Sequence, residues 1–424
     1  MSGSTTWSVR RASLMAVALA AVGCGGDPSP AMGAAPTEFP PCMLERRPLV
    51  LEDGSELYVE HQDVIRVGDD LLVAGAPSYL WRPLPGRRAE RLATDAFVAA
   101  YFWDPARAVP KPVSGALASV RVAPLDDVRW GAIMLEVDPD SLPGREIFRG
   151  LWYGEYDGER WSRLEAVASP GAGIHSRLSS GLVRAGDRMI WAAFEMLPYG
   201  RSGVRLYERV GDAWTHALLP EDRVEQVDLA YLDGFGLWLL VSGYDPGLPG
   251  FQKSLRLFRE RPGGDPTDPQ RWELMSRVAV ARAPSRLAWA SLVLHSEGAT
   301  VSWTELGQGA SVTKSRFGIG PEGPGMLITL DEQTFDVRAV AMSEGTMVWI
   351  VNPSTTDGRT PELRILTNES GRVEHLTTIP DPFPGTYTVR ALSPREFVVV
   401  GPELRLDTIG VPVRSLLLRL STSC

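Results

Sequence analysis

GDRMIWAAF, residues 186–194, is a tight turn leading into an unbroken apolar run that carries a Trp. DGFGLWLLV at 233–241, EGATVSW at 297–303 and EGTMVWIV at 344–351 repeat it, while GDDLLVAG at 68–75, VRWGAIML at 128–135 and PREFVVVG at 394–401 vary it. Short apolar runs between Gly and Asp turn pairs, with no helical period, read as strands buried on both faces. The seven copies recur at intervals of roughly 46 to 64 residues, room for four strands with variable loops. The chain beyond its amino terminus therefore reads as all-β.

A second strand lies between copies: LWYGEY at 151–156, VRLYERV at 204–210, LRLFRER at 255–261, LRILTN at 363–368 and SLLLRL at 415–420. After it come turns such as Asp157-Gly158-Glu159-Arg160-Trp161 and Gly211-Asp212-Ala213-Trp214, with Trp272 in the matching place further on. Such a turn closes a hairpin, and the Trp then packs between adjacent sheets. A four-stranded unit of this kind cannot bury both faces alone, so units stack around an axis and the last must meet the first. The expectation is a single β-propeller over residues 42–424, with seven blades and six or eight as alternatives. Little chain follows the SLLLRL strand, so a strand from the amino-terminal side, PLVLED at 48–53 or ELYVEH at 56–61, is expected to close the ring.

The period resembles that of bacterial β-propellers in general. The G-x-x-W hairpins at Gly158 and Gly211 are similar to degenerate sialidase-type Asp-box repeats, although Tyr156 and Arg209 stand where the motif has its Asp. That resemblance implies a carbohydrate-active hydrolase or lyase.

At the amino terminus, Arg10 and Arg11 precede an apolar run from Ala12 to Val22, the plan of a secretory signal, too short to span a bilayer. It ends in Ala21-Val22-Gly23-Cys24, which resembles the lipobox of bacterial lipoproteins and implies cleavage after residue 23 and acylation of Cys24. Each buried methylene contributes about 0.8 kcal/mol, so two or more chains anchor stably. Gly25 rather than Asp follows the cysteine, which by the same resemblance favours the outer membrane. Residues 24–41 then read as a lipidated Gly- and Pro-rich tether. If Cys24 takes lipid, Cys42 and Cys424 remain as a pair at the two ends of the domain, and export permits a disulfide between them.

The chain of 424 residues is 44% hydrophobic, ample for a large core. Removing the leader takes away two arginines and no acid, so the formal charge moves from −9 to −11 and argues against nucleic-acid binding. No cofactor signature stands out. The five histidines, at 61, 175, 216, 295 and 375, show no metal-ligand spacing. Ser311-Val312-Thr313-Lys314 fits S-x-x-K without its partner motifs, and the G-x-G-x-x-G at 318–323 contains Pro321, so 307–325 reads as a loop. Asp138-Pro139-Asp140 opens like a calcium loop but lacks the Gly and closing Glu.

For chemistry around the axis the candidates are Asp104, Glu195, Asp245 and Glu305, each soon after an apolar strand, with Tyr199, Arg201 and Tyr244 in comparable loops. A glycosidase would need two carboxylates flanking the scissile bond. The leading expectation is a monomeric, membrane-tethered envelope protein that binds or scaffolds a protein or glycan, more a binding protein than an enzyme. The alternatives are the carbohydrate-active enzyme and an outer-membrane assembly factor.

Overall fold

The computed structural model describes residues 41–49, 59–67, 70–77, 97–100, 109–112, 116–137, 148–157, 162, 165–168, 173–175, 179–219, 223–250, 252–265, 267–282, 285–307, 311–321, 323–332, 334–343, 345–353, 362–368, 372–380, 387–404 and 412–423. Cys24, Asp104, Cys424, the leader and the tether up to residue 40 lie outside them. No helix among the described residues is long and apolar enough to cross a membrane. Apart from 3-10 turns at Pro198–Gly200 and Pro269–Arg271, the regular structure described is all strand.

The chain begins with β1 (Met43–Pro48), a ladder of β2 (Val59–Val67) with β3 (Asp70–Pro77), and a ladder of β4 (Phe97–Ala100) with β5 (Val109–Pro112). Six antiparallel blades follow. The first is β6 (Ala116–Pro124), β7 (Trp130–Val137), β8 (Phe148–Tyr156) and β9 (Glu165–Ala168). In the second, β10 (Gly173–His175) and β11 (Leu182–Ala185) both pair with β12 (Arg188–Leu197), and β13 (Arg201–Val210) and β14 (Ala213–Leu218) complete it. The third is β15 (Val224–Leu232), β16 (Gly236–Tyr244), β17 (Lys253–Glu260) and β18 (Trp272–Ala281). The fourth is β19 (Arg286–His295), β20 (Gly298–Leu306), β21 (Ser311–Ile319) and β22 (Met326–Glu332). The fifth is β23 (Thr334–Ser343), β24 (Thr346–Pro353), β25 (Glu362–Thr367) and β26 (Glu374–Pro380). In the last, β27 (Thr388–Ala391), β28 (Glu396–Leu404) and β29 (Pro412–Ser421) are joined by β1, in the order β27-β28-β29-β1.

Among the described residues the blades four strands wide number six rather than seven. The copy at 68–75 contributes β3, whose described ladder partner is β2 alone, so the described part of this unit is a two-stranded ladder. This ladder fills the interval between the first and last blades, with β2 packed against β6 on one side and β27 on the other. The other inner strands follow in sequence, β6 to β11, β15, β19, β23 and β27, and complete the circuit around the axis.

Ring closure uses an amino-terminal strand, but an earlier one than expected. Met43 pairs with Leu420 and Pro48 with Leu416. The ladder is extended by Ser421 N donating to Cys42 O at 2.9 Å and Leu49 N donating to Ser415 O at 2.8 Å. An outermost strand has one face in water, so the amphipathic MLERRP serves there; apolar content, which favoured 48–53 and 56–61, is the wrong guide to it.

The second strand of each blade is buried on both faces, as in β12 and β16. Trp130, Trp191, Trp238, Trp303 and Trp349 on these strands are all fully buried. Apolar clusters lie between successive blades. Trp214 fulfils its expected role, packing edge-on against Tyr153 of the preceding blade at 5.2 Å. Gly298 opens β20 at φ +126°, where a Cβ would stand 2.5 Å from the Ile319 carbonyl oxygen. The 307–325 stretch is not a loop throughout: Ser311–Ile319 is β21, with Ser302 and Ser315 bonded across the ladder at 3.0 Å. The S-x-x-K residues therefore sit on a strand, without the helix amino terminus that motif requires.

Candidate functional site

Successive side chains of a strand point to opposite sides, so an inner strand sends one set between the blades and the other into the axial channel. In β6, Val120 and Val122 are buried and Arg121 between them reaches the channel; in β15, Val227 and Leu229 flank Asp228 in the same way. Arg338 of β23 follows buried Val337, and Arg390 of β27 stands between Val389 and Ala391. The resulting cavity has a volume of about 1060 Å³. Five arginines and three carboxylates, those of Asp63, Glu225 and Asp228, lie on its described wall, an excess of positive charge inside a chain of formal charge −9.

Two of those carboxylates also join the blades. Asp228 accepts from the amide of Leu229 at 2.9 Å and from that of Leu292, on the next inner strand, at 2.8 Å. Asp63 repeats the arrangement, accepting from Val64 at 2.9 Å and from Val122 of β6 at 3.2 Å. Neighbouring inner strands form no ladder with each other, so side chains must satisfy their backbone groups. Gln226 does so with both ends of its amide: Oε1 accepts from Ala290 N at 3.0 Å and Nε2 donates to Ala290 O at 2.6 Å. Arg390 Nε donates to Val64 O at 2.6 Å.

The charges are mutually coupled. Burial pulls the Arg121 guanidinium below its ordinary value, with Arg338 acting in the same direction and Asp63 and Asp228 opposing. Burial likewise pushes the Asp228 carboxyl up, against the Leu292 and Leu229 amides and the charges of Arg338 and Arg121. By area Asp228 is half-buried, between buried Val227 and Leu229. Trp289, at φ +48° on a bulge of β19, is half-buried and forms part of the same wall.

Of the axial candidates singled out from sequence, the six that are described, Glu195, Tyr199, Arg201, Tyr244, Asp245 and Glu305, lie near the connections between second and third strands, and none of these six lines this cavity. Glu195, buried on β12, accepts from Arg205 Nε at 2.6 Å. Tyr199 is fully exposed at φ +64°, and Arg201 is exposed at the start of β13. Tyr244 lies between the cations of Arg223 and Lys253, 5.7 and 5.1 Å from its ring. Buried Asp245 accepts from Arg277 Nε at 2.8 Å, Ser254 Oγ at 2.9 Å and Gly247 N at 2.9 Å. Burial works to raise its carboxyl, and these bonds outweigh it, so it stays below the usual range. Glu305 accepts from Lys314 Nζ at 2.6 Å.

The channel residues are single polar positions inside apolar strands, unlike the loop candidates of the sequence. A signal was present in the recurring Val-Arg-Val/Ala triplets at 120–122, 183–185, 337–339 and 389–391, which lie on inner strands. Among the histidines, His295 is buried, 2.8 Å from Thr300 Oγ1 and stacked on Phe317 at 4.7 Å, and burial lowers it to about 4. Among the described residues no three His, Cys, Asp or Glu side chains gather as a metal-binding group.

No protein-family model matches the chain, and no curated protein matches it by sequence. Its solved structural neighbours are distant β-propeller proteins. A lectin from Burkholderia pseudomallei superposes with a TM-score of 0.56 at 11% identity, covering 87% of this chain and 97% of that one. A protein of unknown function from Dyadobacter fermentans gives 0.49 at 13% identity, covering 89% and 98%. A sialidase from Trypanosoma rangeli gives 0.42 at 9% identity, covering 74% and 56%. Likeness at such identities is likeness of fold.

Proposed function

We propose that this protein is an envelope lipoprotein, exported by residues 1–23 and anchored through Cys24, whose propeller channel receives an anionic ligand. The observation that carries the reading is the channel wall, where Arg121, Arg338 and Arg390 project inward and two of the three carboxylates, Asp63 and Asp228, are engaged by backbone amides. Arginine suits carboxylate and phosphate groups because its planar fork donates to two oxygens at once. Titration of the detergent-extracted full-length protein with tetraglutamate and with tetragalacturonate, two carboxylated probes, tests it. Binding weakened roughly tenfold or more in Arg121→Ala/Arg338→Ala supports the reading, and wild-type protein that takes up neither probe overturns it. Palmitate labelling that persists unchanged in Cys24→Ala would remove the anchor.

A carbohydrate-active enzyme is the second reading. It is favoured by the Asp228 carboxyl, which burial raises against the opposing charges of Arg338 and Arg121, as a general acid needs. Turnover of tetragalacturonate that disappears in Asp228→Asn, with binding retained, would establish it in place of simple binding.

A further inference from the structure

Trp289 departs from the five tryptophans of the second strands in backbone, position and exposure. Trp130, Trp191, Trp238, Trp303 and Trp349 are enclosed on second strands, whereas Trp289 is on an inner strand and half-open to the channel. Its φ of +48° is a left-handed conformation that is unfavourable for a bulky residue and persists only where the surroundings impose it.

Two features impose it. The β19–β20 register runs from Ala288 opposite Thr304 to Ser291 opposite Ser302, so one extra residue is accommodated in β19 at this point. A bulge of this kind re-aims a side chain that a regular ladder would fix. The adjacent residue, Ala290, is then held at its amide and its carbonyl by the Gln226 side chain of the preceding blade. The bulge is anchored from outside its own sheet, in a channel where Asp228, two residues beyond Gln226, accepts the amide of Leu292.

We infer that Trp289 is a stacking platform for a sugar ring, so that the anionic ligand of the channel is a carboxylated saccharide. This rests on the anion-binding reading above and narrows it. A sugar ring offers an apolar C–H face and a polar rim; an indole covers the first, while arginine takes the carboxylate on the second. An acidic peptide would use the arginines and gain little from a fixed indole face. One wall holding both groups fits the saccharide.

The test compares tetragalacturonate, tetraglutamate and neutral maltotetraose by calorimetry on the full-length protein, with Trp289→Gly and Trp289→Phe. Glycine accepts a positive φ and removes the indole, so this variant keeps the fold, which its circular dichroism checks. The expected result is tetragalacturonate binding roughly tenfold weaker in Trp289→Gly and within about threefold of wild type in Trp289→Phe, with tetraglutamate unaffected. Unchanged tetragalacturonate affinity in Trp289→Gly, alongside loss in Arg121→Ala/Arg338→Ala, overturns the platform and leaves the anion-binding channel standing. Maltotetraose binding as tightly as tetragalacturonate overturns the carboxylated class, and no binding of any probe overturns both readings.

Discussion

The Asp228 carboxylate accepts the backbone amide of Leu292 at 2.8 Å, across the seam between two blades whose inner strands share no ladder. The same oxygen pair also takes the amide of Leu229, so a single side chain satisfies a donor on each side of the seam. Asp228→Ala leaves both amides without this acceptor and should cost about 2 kcal/mol, with Asp228→Asn costing less because one carbonyl oxygen remains. Urea unfolding measures it. A variant as stable as the wild type would show that channel water replaces the carboxylate at no cost.

Ring closure sets a second expectation. Cys42 is held against Ser421, three residues from Cys424, by a 2.9 Å backbone bond. A disulfide between the two cysteines would close nearly the whole domain into one covalent loop, and its loss should cost about 2 to 5 kcal/mol. Cys424→Ser and reduced wild-type protein should melt together, below the oxidised wild type. Two freely alkylated thiols in the unreduced protein would contradict this.

Charge burial separates two classes of ion pair. Glu208 and Arg271 meet at 2.7 Å with their side chains 1% exposed, and Arg188 links Glu208 at 2.9 Å to Glu260 at 2.7 Å. This network ties β13 of one blade to β17 and the 3-10 turn of the next. Glu208→Ala removes one of two carboxylates on buried Arg271, leaving Glu260 at 3.2 Å, and should cost about 3 kcal/mol. Glu305→Ala breaks only the partly exposed pair with Lys314 and should cost less than about 1 kcal/mol. Equal losses in chemical denaturation would refute the distinction.

His295 provides a pH dependence with a definite sign. Burial lowers it to about 4 from an ordinary 6.5, so the folded protein prefers the neutral ring. Its contribution is fully present above pH 6.5 and is lost as pH falls from there towards 4, where the unfolded chain binds the extra proton. The protein should be about 2 kcal/mol less stable at pH 5 than at pH 7 from this residue alone. His295→Gln should lessen that pH sensitivity, and an unchanged slope would mean that other groups produce it.

The strands legible in sequence were the second of each blade and the third of every blade but the fourth, because burial on both faces writes an uninterrupted apolar run such as 186–194 or 233–241, whereas β21 alternates polar and apolar residues and read as a loop. The closing strand was legible as a need and misplaced in detail, since MLERRP is half polar. The blade count came out one too high because the turn-and-strand phrase at 68–75 is shared by β3, whose described ladder is only two strands wide. The site was less legible still. Carboxylates such as Glu195 and Asp245 read as loop groups available for chemistry in one dimension, but in the fold Glu195 is on β12 and taken by Arg205, and Asp245 is taken by Arg277 and Ser254. The channel arginines are single polar residues inside apolar strands, and only their recurrence after Val marks them. The left-handed backbone of Trp289 depends on Gln226, 63 positions away, and has no local signal.

The most direct test of the central claim is a crystal structure of the protein with tetragalacturonate bound. The account predicts density for the sugar inside the channel, with a carboxylate on Arg121 or Arg338 and a ring face on Trp289. Density confined to the outer loops, at Tyr199 and Arg201, with the channel holding only water, would contradict it.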